Sequence, residues 1–217
     1  MVSHRVIVYN REVLDPKDPN RASLLCDKAI RVNLFHNIAL LVLLENRITK
    51  HRLRVANTHL PSDPAYADTK LLHAAILMQH LRIWRSDSHA TSTIVTGDFN
   101  SLPGSGVVRF LGTGRLLHSR RLHFGDYDFG RYTSTPHLRH SLCLADAYEH
   151  ASLPATHRTP QFGGVLDYIF FDRRGLLQCS LLDDVEMASG ERYELLSKRF
   201  PSDHLPLVAT FQERAYA

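Results

Sequence analysis

The stretch Thr93-Ile94-Val95-Thr96-Gly97-Asp98-Phe99-Asn100-Ser101 combines a strand with a polar end. Its first residues favour a buried β-strand, and a glycine then precedes a carboxylate, an aromatic ring and a carboxamide. Because side chains alternate faces along an extended chain, Asp98 and Asn100 are predicted to point the same way. Asp98 can act as a base or a metal ligand, and Asn100 can bind an oxyanion or hold Asp98 in place. The alternative interpretation is a strand end followed by an Asx turn.

Composition places the chain among ordinary globular proteins. Its 217 residues are 44% hydrophobic, which is enough for one sizeable domain, and we expect a single domain over 1–217. The 26 Lys and Arg against 22 Asp and Glu give a net charge of +4. That excess indicates either a mildly basic surface or a phosphate-rich substrate such as RNA.

Three scattered cysteines, Cys26, Cys143 and Cys179, form no Cys-x-x-Cys pair. They predict neither a disulfide framework nor a thiolate zinc site, and they favour a reducing compartment. The start of the chain lacks an apolar signal core, and the apolar run 38–44 is too short to span a membrane. We therefore expect an intracellular protein, cytoplasmic or nuclear with an organelle as the alternative, and no membrane partner.

Strands outnumber helices in the predicted pattern. Strands are predicted at 5–14, 37–45, 53–59, 93–98, 165–171, 176–182 and 205–211. The unbroken apolar run of the second strand predicts burial on both faces, and 38–59 is predicted to form a hairpin. Helices are predicted over 69–85, capped by Asp68, and over 107–111, with a short helix or turn at 142–148. Loops are predicted over 118–139 and 190–198, the latter with a short helix as the alternative. This pattern indicates an α/β fold with stacked sheets and outer helices.

Polar groups recur at the ends of predicted strands or inside apolar ones. They are Asn57 and His59, Asp98 and Asn100, Asp167, and Asp203 with His204. Asp167, within Leu-Asp-Tyr-Ile-Phe, is the most informative, because a carboxylate inside an apolar strand is costly to bury unless it is paired or functional. The alternative is a carboxylate satisfied by backbone donors at a strand edge.

Taken together and in this order, these motifs resemble those of the endonuclease/exonuclease/phosphatase superfamily. The closer resemblance is to the CCR4-type poly(A) deadenylases, with their relatives nocturnin, angel and the 2′,5′-phosphodiesterase. The segments that carry it are 55–60, 63–71, 97–103, 105–108, 167–170 and 200–207. The resemblance extends from about residue 6 to residue 211 and is most specific from Asn57 onward.

The resemblance implies a fold and a reaction. The fold is a four-layer α/β sandwich of two mostly antiparallel, DNase I-like sheets flanked by helices, here without the first strands. The reaction is Mg²⁺-dependent hydrolysis of RNA phosphodiester bonds from the 3′ end, releasing 5′-AMP, with Mn²⁺ as an alternative ion. The implied partners are RNA, with poly(A) 3′ ends as the substrate, and proteins of a deadenylase complex.

The resemblance also implies roles for the site residues. Asp98 would orient or deprotonate the attacking water and contribute to metal binding, and Asn100 would stabilise phosphoryl oxygens. Asp203 would belong to the metal shell. Oxygen ligands suit Mg²⁺, which keeps several waters and bridges to substrate phosphates.

The histidines are implied to handle phosphate. His204 would contact the scissile phosphate and would be held by Asp167, which fixes its tautomer and favours its cationic form. His59 would bind a phosphate oxygen, and Asn57 would contribute to substrate binding. Because Asp203 and His204 are adjacent, both reach one site only if the backbone turns, which the preceding Pro-Ser permits.

One departure from the family pattern concerns the metal. The family places an Asn on its first strand and a metal-binding Glu on its second, and this chain matches neither. Asn10 and Glu12 are candidates to replace them, although their spacing differs, and Glu45 cannot be matched to the Glu position. We expect a fragment or a shortened relative that binds Mg²⁺ weakly and has little or no nuclease activity alone. The alternatives are another phosphoesterase of the superfamily, or an inactive subunit that binds RNA or protein.

Overall fold

A computed structural model describes residues 1–13, 36–84, 91–116, 139–151, 155–182, 198 and 201–214. These residues form strands joined by three helices and one 3₁₀ turn. The strands are β1 (Ser3–Val8), β2 (Ile38–Glu45), β3 (Arg52–His59), β4 (Thr91–Asp98), β5 (Leu144–Asp146), β6 (His157–Arg158), β7 (Gly163–Gly164), β8 (Asp167–Asp172), β9 (Leu176–Leu181) and β10 (Ala209–Glu213). The helices are α1 (Tyr9–Val13), α2 (Ala67–Ile83) and α3 (Gly106–Thr113).

A six-stranded sheet is the largest element, with strand order β1-β2-β3-β4-β8-β5. The predicted β2–β3 hairpin is confirmed as an antiparallel pair. The β3–β4 pair is parallel and is connected through α2, as a parallel pair requires a long crossover. The other neighbours are antiparallel, so β8 begins at the edge where β3 and β4 end.

One face of this sheet is covered by α2 and α3. Residues from the sheet and the two helices form one apolar cluster, which includes Leu41, Val95, Leu77 and Phe110, all of them buried. The buried guanidinium of Arg54 also donates to the Leu81 carbonyl of α2 at 2.9 Å. The helices therefore form the outer layer that the sequence predicts.

The opposite face packs against a two-stranded sheet formed by β9 and β10. Phe171 and Ile94 of the large sheet lie in one apolar cluster with Leu176 and Phe211 of the small one. The rings of Phe171 and Phe211 are 4.9 Å apart. Stacked sheets with outer helices thus confirm the predicted α/β class.

The prediction that β2 is buried on both faces is wrong. Leu40 and Leu44 are 42% and 37% exposed, whereas Leu41, between them in the sequence, is fully buried. Val6 of β1 lies opposite Leu40 and is 51% exposed. In the described residues, the contacts of the small sheet are with β3, β4, β5 and β8, so it leaves this face of β1 and β2 open.

Several predicted boundaries differ from the structure, and three of the differences have a clear physical cause. The first strand ends at Val8 rather than extending towards residue 14, because Tyr9 turns into the outer core and stacks on His73 with ring centroids 4.3 Å apart. Residues 142–148 contain the strand β5, because residues 144–146 pair with β8, and the predicted turn begins only at residue 147. The last strand begins at residue 209 rather than 205, since the Leu205 amide bonds outside the sheet.

Helix α2 starts two residues before its predicted beginning, and Asp68 lies in its first turn instead of capping it. Asp63 caps the preceding 3₁₀ turn (Pro64–Tyr66), where its carboxylate accepts from the Ala65 amide at 2.8 Å. Helix α3 has Ser105 as its N-cap, where the Ser105 hydroxyl accepts from the Val108 amide at 3.3 Å. The predicted loops 118–139 and 190–198 lie almost entirely outside the described residues. Within the described residues, no helix is long and apolar enough to cross a membrane.

Candidate active site

Strand register brings three of the predicted residues together at one edge of the large sheet. His59 lies opposite Asp98 in the parallel β3–β4 pair, and Asp98 lies opposite Asp167 in the antiparallel β4–β8 pair. Paired residues on adjacent strands share a face of the sheet. The strand ends therefore present an imidazole and two carboxylates side by side.

These strand ends border a cavity of 590 Å³. The charged residues, histidines and amide at its wall are His59, Lys70, Asp98, Asn100, His157, Asp203 and His204. The wall also includes serines and apolar side chains, among them Pro64, Leu102, Phe162 and Leu166. A cavity of this size with a few convergent polar groups is typical of a ligand site.

The parallel β3–β4 pair needs a glycine just before Asp98. Gly97 has a φ of +140°, and a Cβ at this position would lie 1.8 Å from the Thr58 carbonyl oxygen. Any side chain at Gly97 would therefore push the two strands apart. The glycine in Thr-Gly-Asp thus sets the close approach that places Asp98 beside His59.

Asn100 holds the Asp98 carboxylate from two directions. Its backbone amide donates to Asp98 Oδ1 at 2.7 Å, and its side-chain Nδ2 donates to Asp98 Oδ2 at 3.2 Å. The same Nδ2 also donates to the Leu60 carbonyl at 2.9 Å. Asn100 adopts a left-handed φ of 46°, which directs its carboxamide back to Asp98. In this arrangement the carboxamide is committed to orienting Asp98.

The position of Asp98 raises the pKa of its carboxyl group. Burial is the largest cause, and the Asp167 carboxylate adds to it, while the Asn100 amide, His59 and His204 oppose the increase. Asp98 Oδ2 lies 3.4 Å from His59 Nε2 and 3.9 Å from His204 Nε2. The carboxylate is thus largely enclosed, and the Asn100 amide and the two histidines favour its ionised form against burial and the Asp167 carboxylate.

Asp167 is paired with His204. Its Oδ2 lies 2.8 Å from His204 Nδ1, and both side chains are partly buried, at 20% and 31% exposure. An ionised Asp167 requires Nδ1 to carry the proton, which leaves Nε2 directed towards Asp98 and the cavity. The charge inside this apolar strand therefore has a specific partner in addition to backbone contacts.

The backbone turns between Asp203 and His204, so both side chains reach the cavity. The Ser202 hydroxyl accepts from the His204 amide at 3.0 Å and stabilises the turn. The Asp203 carbonyl accepts from the Arg158 amide at 3.0 Å. This loop is therefore fixed by hydrogen bonds to a second segment of the chain.

That second segment is centred on Thr156, which is completely buried. Its carbonyl accepts from the Leu205 amide at 2.8 Å. Its hydroxyl accepts from the amides of Leu166 and Asp167 at 2.8 and 3.0 Å. Thr156 thus joins the beginning of β8, which carries Asp167, to the loop that carries His204.

His157 and Lys70 border the cavity but were not singled out in the sequence. His157 Nε2 lies 3.4 Å from Asp203 Oδ2, and its ring lies 4.5 Å from the ring of His204. Lys70 Nζ donates to the Asn100 carbonyl at 2.8 Å, and burial lowers the pKa of Lys70. His157 lies in a polar segment and Lys70 in the first turn of α2, and in neither place does the hydrophobic pattern mark the residue as part of a site. Only the long-range contacts with residues 98–100 and 203–204 reveal them.

Two predicted or alternative site residues lie apart from this cluster. Asn57 shares the face of His59 but is two residues further from the strand end, and it is not part of the cavity wall. Glu12 Oε2 lies 3.1 Å from His80 Nε2, near the end of α2 that is distant from Lys70. Glu12 therefore does not supply a carboxylate to the cavity.

The donor atoms are close enough to hold a divalent cation. One ligand atom from each of Asp98, Asp167 and His204 lies within 4.8 Å of the others, and the same holds for His157, Asp203 and His204. Carboxylate oxygens are the ligands that Mg²⁺ prefers in proteins, and both groups supply them: Asp98 and Asp167 in the first, and Asp203 in the second. The cluster can therefore bring a phosphate, a cation and a base together.

Known proteins share this sequence pattern. The Ccr4 subunit of Debaryomyces hansenii, a 3′-5′-exoribonuclease of the CCR4-Not complex, is 35% identical over 187 residues, covering 81% of this chain and 22% of that protein. Ccr4 of Mycosarcoma maydis is 30% identical over 241 residues, covering 97% of this chain and 34% of that protein. The chain thus spans about a third or less of these curated relatives.

Solved structures share the fold. ANGEL2, a 2′,3′-cyclic phosphatase, superposes with a TM-score of 0.67 at 22% identity, over 97% of this chain and 66% of its own. The human nocturnin catalytic domain gives 0.58 at 23% identity, over 83% of this chain and 54% of its own. Residues 4–204 match the Endonuclease/Exonuclease/phosphatase family. With this match over most of its length, the chain belongs to that family.

Proposed function

We propose that this chain carries the catalytic core of a Mg²⁺-dependent 3′→5′ exoribonuclease that removes nucleotides from poly(A) 3′ ends and releases 5′-AMP. The observation that carries the proposal is the cluster of Asp98, Asp167 and His204 at the edge of the cavity. Support for RNA as the substrate comes from the similarity to Ccr4 proteins, which are named 3′-5′-exoribonucleases.

Asp98 and Asp203 would hold the Mg²⁺ ion, with Mn²⁺ as an alternative, because both offer carboxylate oxygens at the cavity wall. When bound, the ion would neutralise charge on the phosphate and polarise a phosphoryl oxygen. The remaining requirements of the reaction fall to side chains of this chain. They must orient a water, accept its proton and bind the phosphate oxygens.

Asp98 is the residue placed to act on the water. Its carboxylate is fixed by two hydrogen bonds from Asn100, so one orientation is maintained. Burial raises the pKa of Asp98, which makes the carboxylate a stronger base than an exposed one. We assign it the deprotonation of the water that attacks phosphorus in line with the leaving 3′ oxygen of the adjoining nucleotide.

The imidazoles are placed to bind phosphate oxygens. His204 presents Nε2 to the cavity while Asp167 holds Nδ1, and His59 presents Nε2 from the neighbouring strand. Both nitrogens lie within 4 Å of Asp98 Oδ2, at 3.9 and 3.4 Å. A phosphate between them would face donors that strengthen as negative charge develops.

The remaining wall of the cavity suits a nucleotide. Phe162 and Leu102 contribute apolar surface beside the polar cluster, and an aromatic ring offers a stacking surface for a base. The relatives named above are subunits of the CCR4-Not complex. By analogy, proteins of a deadenylase complex are the proposed partners, and the compartment is intracellular.

A single-turnover assay tests the proposal. The chain is mixed in excess with 5′-labelled oligo(A), and Mg²⁺ is raised until the rate no longer changes. Because no residue matches the family's metal-binding Glu, cleavage at low Mg²⁺ should be negligible. At saturating Mg²⁺ we expect slow, stepwise shortening from the 3′ end with release of 5′-AMP, and complete inhibition by EDTA. Asp172→Asn is the matched control, because Asp172 lies at the other end of β8 and outside the cavity.

Three results would contradict the proposal in different ways. Internal cleavage of the oligonucleotide would indicate an endonuclease. Hydrolysis of 2′,5′-linked or cyclic phosphates with no action on oligo(A) would indicate another phosphoesterase of the family. Binding of oligo(A) with no cleavage at saturating Mg²⁺ would indicate an RNA-binding module.

A further inference from the structure

We propose that His157, Asp203 and His204 form a binding site for a transition-metal ion of the Zn²⁺ class, which shares Asp203 with the ligands proposed for Mg²⁺ and adds two imidazoles to it. One ligand atom from each of the three residues lies within 4.8 Å of the other two. All three side chains line the cavity, so an ion can enter from solvent. The proposal concerns the ion alone and holds whether or not the chain cleaves RNA.

The two histidines are fixed in a cross-strand arrangement. His157 and His204 form an isolated antiparallel bridge, which places their side chains on the same side of the two strands. The bridge is flanked by the bond from the Arg158 amide to the Asp203 carbonyl at 3.0 Å and by the bond from Leu205 to Thr156 at 2.8 Å. The ring centroids are 4.5 Å apart and tilted by 52°. The pair is therefore formed before any ion binds.

The spacing of His157 and Asp203 matches that of two ligands on one ion. His157 Nε2 and Asp203 Oδ2 are 3.4 Å apart, which is longer than a well-formed hydrogen bond. Ligands at the usual Zn²⁺ distances lie about 3.4 Å from each other in a tetrahedral shell. A ring nitrogen of His204 lies within 4.8 Å of both of these ligand atoms.

In metal-binding histidines, the ring nitrogen that does not bind the metal commonly donates a hydrogen bond to a carboxylate or carbonyl group, and His204 has such a partner. Asp167 Oδ2 lies 2.8 Å from its Nδ1, so Nε2 is the nitrogen left for an ion. A carboxylate on the outer nitrogen fixes the tautomer and strengthens the ligand. In this site the carboxylate comes from β8, on a different segment from the three proposed ligands.

The donor set determines which ion is preferred. Two imidazoles and one carboxylate suit Zn²⁺, Co²⁺ and related ions, whereas Mg²⁺ prefers oxygen ligands and retains its waters. His157 is the residue that changes the character of the site, because without it Asp203 would be an oxygen ligand beside one histidine. An ion bound here would occupy Asp203 and His204, so Zn²⁺ is expected to compete with Mg²⁺ and phosphate.

The test is equilibrium binding of Zn²⁺ alone, measured by calorimetry on the 217-residue chain without RNA and repeated with Mg²⁺ alone. We expect one tight Zn²⁺ ion per chain, and a loss of affinity of about tenfold or more in His157→Asn. Mg²⁺ binding should be unchanged in that variant. His150→Asn is the matched control, since His150 is exposed and lies outside the cavity.

Histidine side-chain ¹⁵N spectra of the wild-type chain provide a second measurement that needs no variant. The Nε2 signals of His157 and His204 should shift with one equivalent of Zn²⁺. Unchanged Zn²⁺ affinity in His157→Asn would overturn the proposal. Shifts confined to other histidines would overturn it as well.

Discussion

Titratable side chains are buried in different ways in the cavity at the strand ends and in the core beneath α2. In the cavity, each carboxylate that lies near a strand end has an imidazole close to it, as Asp167 has His204 at 2.8 Å. In the core, His73 is fully buried against Tyr9, and neither of its ring nitrogens has a hydrogen-bond partner among the described residues. The first region supports ionised groups, and the second accepts only a neutral ring.

This difference distinguishes charged residues of the proposed active site from a titratable residue that only packs in the core. Charges are retained at the cavity because an imidazole lies near each carboxylate: His59, opposite Asp98 in the β3–β4 pair, and His204, whose Nδ1 lies 2.8 Å from Asp167. Burial without a partner instead lowers the pKa of His73 to about 3. The presence of a partner, more than the depth of burial, distinguishes the two regions.

The largest expected effect is in the cavity, on Asp98. Asp98→Ala removes the proposed base and should reduce the single-turnover rate on oligo(A) by about 10²–10⁴-fold. The fold should remain, because Asp98 is at the end of its strand. Asp172→Asn, the control on β8, should retain the wild-type rate. A variant that keeps more than about a tenth of the wild-type rate would exclude this role.

Asp167→Asn should preserve the packing but remove the group that fixes the His204 tautomer. By analogy with other buried carboxylates that orient a histidine, we expect a loss of rate of roughly 10²-fold or more. RNA affinity should change little, because the variant leaves the cavity walls in place. Rate and affinity are measured separately, by single-turnover cleavage and by equilibrium binding. Normal cleavage would make Asp167 a purely structural residue.

Thr156→Val tests whether the hydrogen bonds that join β8 to the His204 loop are needed. Valine keeps the volume but leaves the buried amides of Leu166 and Asp167 without an acceptor, at a cost of about 1–3 kcal/mol for each. We expect lower stability in chemical denaturation and slower cleavage. Thr156→Ser restores the acceptor and should recover both. If serine fails to recover the rate, the hydroxyl is not the cause.

The smallest effect is expected in the core, and it depends on pH. The folded-state pKa of His73, about 3, lies below its value of 6.5 in the unfolded chain. Below pH 6.5 the unfolded state therefore binds more protons, and stability falls as the pH falls towards 3. His73→Phe cannot be protonated and retains a ring against Tyr9. The free energy of unfolding of His73→Phe, relative to that of wild type, should increase by about 2 kcal/mol between pH 7 and pH 5.

Urea denaturation at the two pH values measures this change. The exposed His150→Phe is the control for the loss of a surface imidazole. A stability difference between His73→Phe and wild type that is the same at both pH values would show that His73 is protonated without penalty. The distinction between the two regions would then fail.

The sequence predicts most of the cavity because its main residues interrupt apolar strands. Asp98 and Asp167 stand out against strand-forming neighbours. The sequence places Asp98 at a strand end, whereas Asp167, predicted inside the strand 165–171, is the first residue of β8. His157 gives no such signal, because its neighbours are polar and its partner lies more than forty residues further along the chain. A contact made by an isolated bridge cannot be read from local pattern.

The open face of β2 shows a second limit of sequence reasoning. A continuous apolar run indicates burial on both faces only if a second layer covers the whole strand. In the described residues, the small sheet covers β3, β4, β5 and β8 and leaves Leu40 and Leu44 exposed. Burial of the second face of β2 depends on how far the neighbouring sheet extends, and the sequence of β2 does not specify that extent.

The central claim is that Asp98 and His204 act on one phosphodiester as parts of a single site. The most direct test is a double-mutant cycle with Asp98→Ala and His204→Ala, measured as single-turnover cleavage of oligo(A) at saturating Mg²⁺. Residues that work as a unit give strongly non-additive losses, so the double variant should be about as slow as the slower single variant. Losses that multiply would mean that the two side chains act independently, and the account would be contradicted.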